Sequence, residues 1–339
     1  MKIGKQTIQL VNRPAILNTG SIVGPKEAEG PLSEYFDTTI DDVYFDEDTF
    51  EKAESKLIKQ AVWNVLSKEN LDETNIDYLF AGDLLNQCIS SGYAIRDLRV
   101  PFIGLYGACS TFVESSILAS LFVNAGYAKK CIAATSSHFC SAERQFRMPL
   151  EQGTKIPPTG QWTVTGSGAA LISENTNATR GKFPVVTYLT PGKIVDMGIT
   201  DIGNMGAAMA PAAFDTILTH LEDTGRDASY YDKIITGDLG ILGSEILIEQ
   251  LQKQGIDISS NHEDCGKLIF NCEEQETHMG GSGCGCCATV FTGYIYKLMK
   301  EKKINKVLLV ATGALMSPVS LGQGESIPGI AHAIAIENE

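Results

Sequence analysis

The sequence predicts an α/β fold built from two copies of one strand-helix unit, and three observations carry that prediction. Apolar strand-like runs alternate with helix-periodic stretches along most of the 339 residues. The stretch from Ile76 to Leu84 reappears from Tyr231 to Leu239, with Asp83 matching Asp238. Gly107-Ala108-Cys109 and its helix match Gly285-Cys286-Cys287 and its helix, and Ala134-Thr135-Ser136 matches Ala311-Thr312-Gly313, with 25 residues from Cys109 to Ala134 and from Cys286 to Ala311. A self-similar pattern of this kind is the mark of a duplicated unit. The halves are expected at residues 1–175 and 176–339.

Residues 1–48 alternate short apolar pieces with Gly and Pro and end in an acidic cluster, Asp41 to Asp48, without the Gly and terminal Glu of an EF-hand. A solvated loop is expected there. From Phe50 to Lys68, Ala53, Leu57, Ala61, Val62, Val65 and Leu66 recur at helical spacing. A strand over 76–83 follows, then a polar loop through Asn86 and Gln87, a helix to Leu98 and a strand over 101–105. A helix starting at Cys109 is small and apolar all round, which suits burial between two layers. Lys130 to Thr135 read as a strand, so the alternation predicts a mainly parallel sheet covered on both faces. Gly166-Ser167-Gly168 lacks a full phosphate-binding glycine pattern and reads as a strand turn. Residues 193–211 carry no clear pattern, 215–221 look helical, and His220 and His262 are expected at the surface.

Composition narrows the function. A net charge of −14 argues against nucleic acid and against electrostatic docking on an anionic membrane. Nine cysteines, scattered and odd in number, fit a reduced, intracellular protein. No apolar run reaches about 18 residues, and the N-terminus lacks the apolar core of a secretory signal. Cys284, Cys286 and Cys287 are too crowded for a common zinc site and read as packing residues.

The chemistry centres on Tyr106-Gly107-Ala108-Cys109-Ser110-Thr111-Phe112. A thiol at a strand-to-helix turn faces free N–H groups at the positive end of a helix, which favours the thiolate. His138 ends a strand at the edge where open α/β sheets form their clefts, and is balanced between a pocket role and a structural one. Arg144 and Arg147 are the cations best placed for a carboxylate, with a surface salt bridge as the competing role.

The duplicated unit, the cysteine turn, the Gly-Ser-Gly-Ala-Ala strand and the glycine-rich loop after His278 together resemble the thiolase and ketoacyl-synthase superfamily. That resemblance implies a five-layered α-β-α-β-α fold. Within it, Ala81-Gly82-Asp83-Leu84-Leu85-Asn86-Gln87, Leu105 to Thr111, Ala142-Glu143-Arg144-Gln145-Phe146-Arg147, Gly206 to Pro211 and Gly324 to His332 resemble the stage V sporulation protein AD family of spore-forming bacteria. The family implies a homodimer of the developing spore, peripheral to the inner membrane beside other membrane proteins of the stage V sporulation A operon. It also implies binding and uptake of dipicolinic acid, as its calcium complex.

Condensing enzymes of this superfamily need a cysteine and two further polar groups. Cys109 supplies the first and His278 is a candidate second, though it could equally pack or cap beside the loop. The remaining position holds Asp238, an acid where a base and oxyanion donor should stand. The expectation is therefore a degenerate binding protein, with acyl transfer through Cys109 as the alternative. For a planar aromatic dianion, Tyr106 or Trp162 would give the flat wall and Ser110, Asn86, Gln87 and Ser326 the hydrogen bonds. Asp83, Asp238 or main-chain carbonyls would complete the shell of the calcium ion.

Overall fold

The computed structural model describes residues 1–339, apart from the side chain of Glu151. Its main strands are β1 (Ala15–Val23), β2 (Tyr78–Gly82), β3 (Phe102–Gly104), β4 (Lys130–Ser137), β5 (Gly166–Ser173), β6 (Val185–Thr190), β7 (Lys233–Thr236), β8 (His262–Asp264), β9 (Lys306–Ala314) and β10 (Gly329–Glu337). The main helices are α1 (Phe50–Lys68), α2 (Ile89–Arg96), α3 (Thr111–Asn124), α4 (Phe139–Phe146), α5 (Met205–Thr224), α6 (Gly240–Gln252) and α7 (Cys284–Val290). The last runs on through a π-helical turn, Phe291–Ile295, into Tyr296–Lys300.

The strands lie in the order β8-β7-β9-β10-β6-β1-β5-β4-β2-β3. Outward from the centre, β1-β5-β4-β2-β3 is mirrored by β6-β10-β9-β7-β8, which is the duplication seen as topology. The two groups of five meet at one pairing, Val185 with Ala15. The sheet is mixed rather than mainly parallel. Among these ten strands only β4-β2-β3 and β9-β7-β8 run parallel, because β5 and β10 return as antiparallel partners of β4 and β9. The β4-to-β5 connection holds the short helix α4 and a loop, and the β9-to-β10 connection only the short helix Pro318–Gly322, so neither return strand is set by the helical crossover that parallel neighbours need.

Strand periodicity builds the layers. In β2, Phe80 faces the central core while Leu79 and Ala81 face α1 and α2; in β4, Cys131 and Ala133 face inward, Ile132 and Ala134 outward. In β9, Val307, Leu309 and Ala311 join the central core, and Leu308 and Val310 pack with α5 and α6. Both faces of each sheet are therefore apolar, and each demands a helical cover. The central cover is α3 and α7, whose Phe112 and the following Phe291 have rings 5.7 Å apart. The result is the five-layered α-β-α-β-α arrangement that the resemblance implied.

Local signals explain the elements. Thr49 caps α1 by accepting from the Lys52 N–H, and Asn204 caps α5 by accepting from Ala207 N–H, so the unassigned stretch after Lys193 ends in a helix start. Of two histidines expected at the surface, His220 is buried and His262 is half-buried. His220 lies between the Thr190 and Tyr231 hydroxyls at 2.7 and 2.6 Å, and His262 contacts the Thr236 hydroxyl at 3.0 Å. Both sit in polar-looking sequence whose polar neighbours turn inward to meet them. No helix among the described residues is long and apolar enough to cross a membrane.

Candidate functional site

The turn between β3 and α3 is held by its own side chains. Ser110 Oγ donates to Gly107 O at 2.6 Å, Thr111 Oγ1 donates to Ala108 O at 2.6 Å, and Gly107 N donates to Thr111 Oγ1 at 3.0 Å. Ala108 takes a left-handed conformation, φ 50°, at a cost on the order of 1–2 kcal/mol. The end of β9 presses on this turn from the other half: a Cβ on Gly313 would lie 2.6 Å from Gly107 O and 3.2 Å from Ser110 N. Only glycine permits that approach. α3 begins at Thr111, two residues later than expected, because Ser110 and Thr111 are spent on closing the turn.

Cys109 is 6 % exposed, and its sulfur lies 3.9 Å from Ser282 Oγ. Ser282 Oγ donates in turn to Asp238 Oδ2 at 2.9 Å, and Gly283 N donates to the same oxygen at 3.0 Å. Thr312 Oγ1 donates to Asp238 Oδ1 at 2.7 Å. Asp238 thus ties the end of β7 to the glycine-rich loop and the end of β9. Burial raises its carboxyl above the usual range, opposed by these donors. Burial, and then the Asp238 carboxylate, push the Cys109 thiol well up. The expected thiolate is overturned, because desolvation and a neighbouring acid outweigh the helix end. The Ser282 hydroxyl and Gly283 N–H, donors of the kind an oxyanion hole uses, are occupied by Asp238 itself.

The other predicted residues divide sharply. Tyr106 is half exposed beside the turn, its hydroxyl pushed up to about 12 by burial, with the Cys109, Cys284 and Cys88 thiols contributing. Asp83 is buried and accepts from Leu85 N, Ser91 N and Ser91 Oγ at 2.9, 2.7 and 2.6 Å. It organises the start of α2, and like Asp238 it accepts from internal donors. Ser110 is committed to Gly107 and offers no donor to a ligand. Asn86 and Gln87 are set outside the buried site, with Gln87 left-handed at φ 64° and Asn86 N bound to Gln145.

Five residues are placed elsewhere. His138 caps α4: its Nδ1 accepts from Cys140 N at 3.2 Å, its Nε2 meets Val43 O at 2.9 Å, and burial lowers it to about 4. Arg144 pairs with Glu51, taking the salt-bridge role that competed with carboxylate binding. Trp162 stacks on Phe139 at 5.3 Å with Lys26 over its ring, so its face is covered. His278 is exposed, left-handed at φ 54° and bridged to Gln161 through the backbone, which removes it as a partner for the thiol. Ser326 donates to Asp196 at 2.6 Å on the surface. These side chains satisfy local backbone and surface partners, which sequence spacing does not reveal.

Sequence reasoning missed Ser282, Thr312 and Gln161. Gln161 Nε2 donates to Asp238 O at 2.7 Å and to Gly281 O at 2.8 Å, tying the loop after β7 to the glycine-rich segment. Thr312 carried a signal, since it stands at the repeat position of Thr135. A cavity of about 630 Å³ lies between α1 and α2, lined by Trp63, Tyr93 and Ser90 among others, and contains none of the predicted site residues.

The model of the family described as stage V sporulation protein AD matches residues 4–337. The chain belongs to the stage V sporulation protein AD family. It is 47 % identical over 335 residues to stage V sporulation protein AD of Bacillus subtilis (strain 168), covering 98 % of this chain and 97 % of that one. Membership in the stage V sporulation protein AD family assigns the chain to sporulation. Among solved structures it is similar to 3-oxoacyl-[acyl-carrier-protein] synthase III from Aquifex aeolicus VF5, with TM-score 0.57 at 13 % identity over 96 % of this chain and 99 % of that one. It is also similar to cerulenin-bound OleA of Xanthomonas campestris, with TM-score 0.61 at 12 % identity over 96 % of each chain. At such identities the likeness establishes the thiolase-like fold of this family member and nothing about its chemistry.

Two outcomes follow for the site. Replacing Asp238 with Asn removes the acid beside the thiol, and the rate at which iodoacetamide labels Cys109, read by peptide mass spectrometry, should rise on the order of tenfold for each unit by which the thiol pKa falls; an unchanged rate would contradict the role given to Asp238. Burial also pushes Glu54 to about 8, with Asp83 adding to it, and pushes Glu27 and Asp264 to about 7. Each folded value lies above the unfolded value of roughly 4, so the native state holds more protons and the stability is lost as pH rises through about 7–8. The urea midpoint should fall between about pH 5 and about pH 8.5, and Glu54→Gln should flatten that slope. A midpoint that rises with pH would refute the assignment.

Proposed function

We propose that this chain binds dipicolinic acid at the Cys109 turn and supports its uptake into the developing spore as a binding protein that has lost condensing chemistry. The observation that carries this reading is Asp238 Oδ2 filling its own donor pair, Ser282 Oγ and Gly283 N, beside a thiol held protonated. A site so arranged neither activates the sulfur nor leaves donors for a thioester oxyanion. Tyr106 is the aromatic wall and Cys109 a polarisable floor. The family resemblance supplies the identity of the ligand. Calcium enters as cargo, chelated by the ligand's own nitrogen and carboxylates, and water and main-chain carbonyls complete its shell because Asp83 and Asp238 face inward.

The same reading has the protein act at the inner membrane of the spore, beside membrane proteins of the same operon, as a homodimer. Support for the dimer is the short edge strand β3, whose outer side has no strand partner, with Ile103, Tyr106, Tyr93 and Ile89 exposed around it. Such an edge with apolar neighbours favours pairing with a second copy. Sedimentation should give twice the chain mass, and Ile103→Lys should give the monomer; a monomeric native protein would remove this part.

Calorimetry of the full chain with dipicolinate, with and without calcium, tests the function. Tighter binding with calcium is expected, and Cys109→Ser should retain affinity within about threefold, a change under about 1 kcal/mol. Equal affinity in both conditions would remove calcium from the reading. Absence of heat in both, together with a selective acyl adduct on Cys109 from acyl-coenzyme A, would replace binding with acyl transfer.

A further inference from the structure

Arg147 is the only buried lysine or arginine among the described residues. Its side chain has no exposed surface, nor does that of Glu143, its partner one helical turn earlier. Arg147 Nε and Nη2 donate to the two Glu143 oxygens at 2.9 and 2.5 Å, and Nη2 donates also to Gln161 O at 2.9 Å. Glu143 Oε1 accepts a further bond from Thr163 Oγ1 at 2.7 Å. The remaining nitrogen, Nη1, is enclosed and has no hydrogen-bond partner. A buried charged donor without an acceptor is costly, and a fold that satisfies the rest of the guanidinium so closely leaves this last group to be explained.

Its position supplies the explanation. Gln161, which accepts from Arg147, reaches Asp238 through its own amide. Phe146, whose ring lies 5.8 Å from the Arg147 guanidinium, packs in the apolar cluster that includes Cys109, Leu84, Ala142 and Met316. The acids beside this region, Asp238 and Asp83, disfavour a bare dianion, and Arg147, whose charge is already balanced by Glu143, contributes a directed donor rather than a net positive field.

We propose that Arg147 Nη1 is the donor that reads one carboxylate of the ligand, with Glu143, Thr163 and Gln161 fixing the guanidinium so that this single group remains to be satisfied. The proposal rests on the dipicolinate reading. A chelated calcium ion leaves the outer carboxylate oxygens free to accept, so Arg147 and calcium act on the same ligand without competing. Because Nη1 is enclosed, ligand uptake includes a side-chain shift at its surroundings.

The test is calorimetry of the full-length protein and of Arg147→Lys, using calcium dipicolinate and calcium picolinate, which lacks one carboxylate. Lysine keeps the charge beside Glu143 but loses the planar fork. Dipicolinate affinity should fall roughly 10- to 100-fold in the variant, as expected for loss of a charged hydrogen bond, and picolinate affinity should fall less. An unchanged dipicolinate affinity in Arg147→Lys, with native protein binding normally, overturns the role of Arg147 and leaves the dipicolinate reading standing. Native protein that binds no dipicolinate overturns both. If the variant does not fold, as judged by circular dichroism, a crystal structure of the native protein with dipicolinate decides. A carboxylate oxygen at hydrogen-bond distance from Nη1 supports the proposal, and a ligand seated away from Nη1 refutes it.

Discussion

The arrangement of this molecule depends on one buried carboxylate. Asp238 collects a hydroxyl and an amide from the glycine-rich loop and a second hydroxyl from the end of β9, and through its carbonyl it holds Gln161 from the other half of the chain. A buried acid is tolerated only when its lone pairs are met, and here they are met by groups far from it in the sequence. The same contacts that stabilise the acid also fix the surroundings of Cys109. Structure and chemistry are therefore coupled: the feature that holds the loops together is also the acid that, with burial, pushes the Cys109 thiol up.

The alternation of strands with helices and the duplication were legible in the sequence, whereas the five layers came from the family resemblance. Alternation in Leu79-Phe80-Ala81 and Cys131-Ile132-Ala133-Ala134 sends side chains to opposite covers, and the repeat of Asp83 at Asp238 declares the duplication before any coordinate is known. The direction of β5 and β10 was not legible, since strand sense is set by how a loop returns and not by the residues within the strand. The span of α1 was recovered because Thr49 supplies a cap and the apolar stripe continues to Leu66.

The site was legible only at its centre. Cys109 and Asp238 were singled out and do meet, through Ser282. His138, Ser110 and Asp83 carry the right chemical groups, yet each is consumed by backbone within a few residues of itself or on a neighbouring segment, and such local capping competes with ligand contacts invisibly at the level of sequence. Arg144 and Arg147 are three residues apart and look equivalent in the sequence. One turns to Glu51 at the surface and the other enters the interior, a difference decided by which side of α4 meets Thr163 and Gln161.

The close approach of Gly313 to the Gly107 carbonyl has a wider meaning. A duplicated chain starts with two equivalent turns, one per half, each resting on the strand end of the other. Here the turn at Cys109 keeps a half-exposed tyrosine at its mouth, while its counterpart at Gly285 to Cys287 is sealed, with Cys286 and Cys287 wholly inside the core. Symmetry has been retained in the scaffold and discarded in the chemistry. One half buttresses the other, so the Cys109 turn takes its rigidity from the strand end at Gly313 in the sister half.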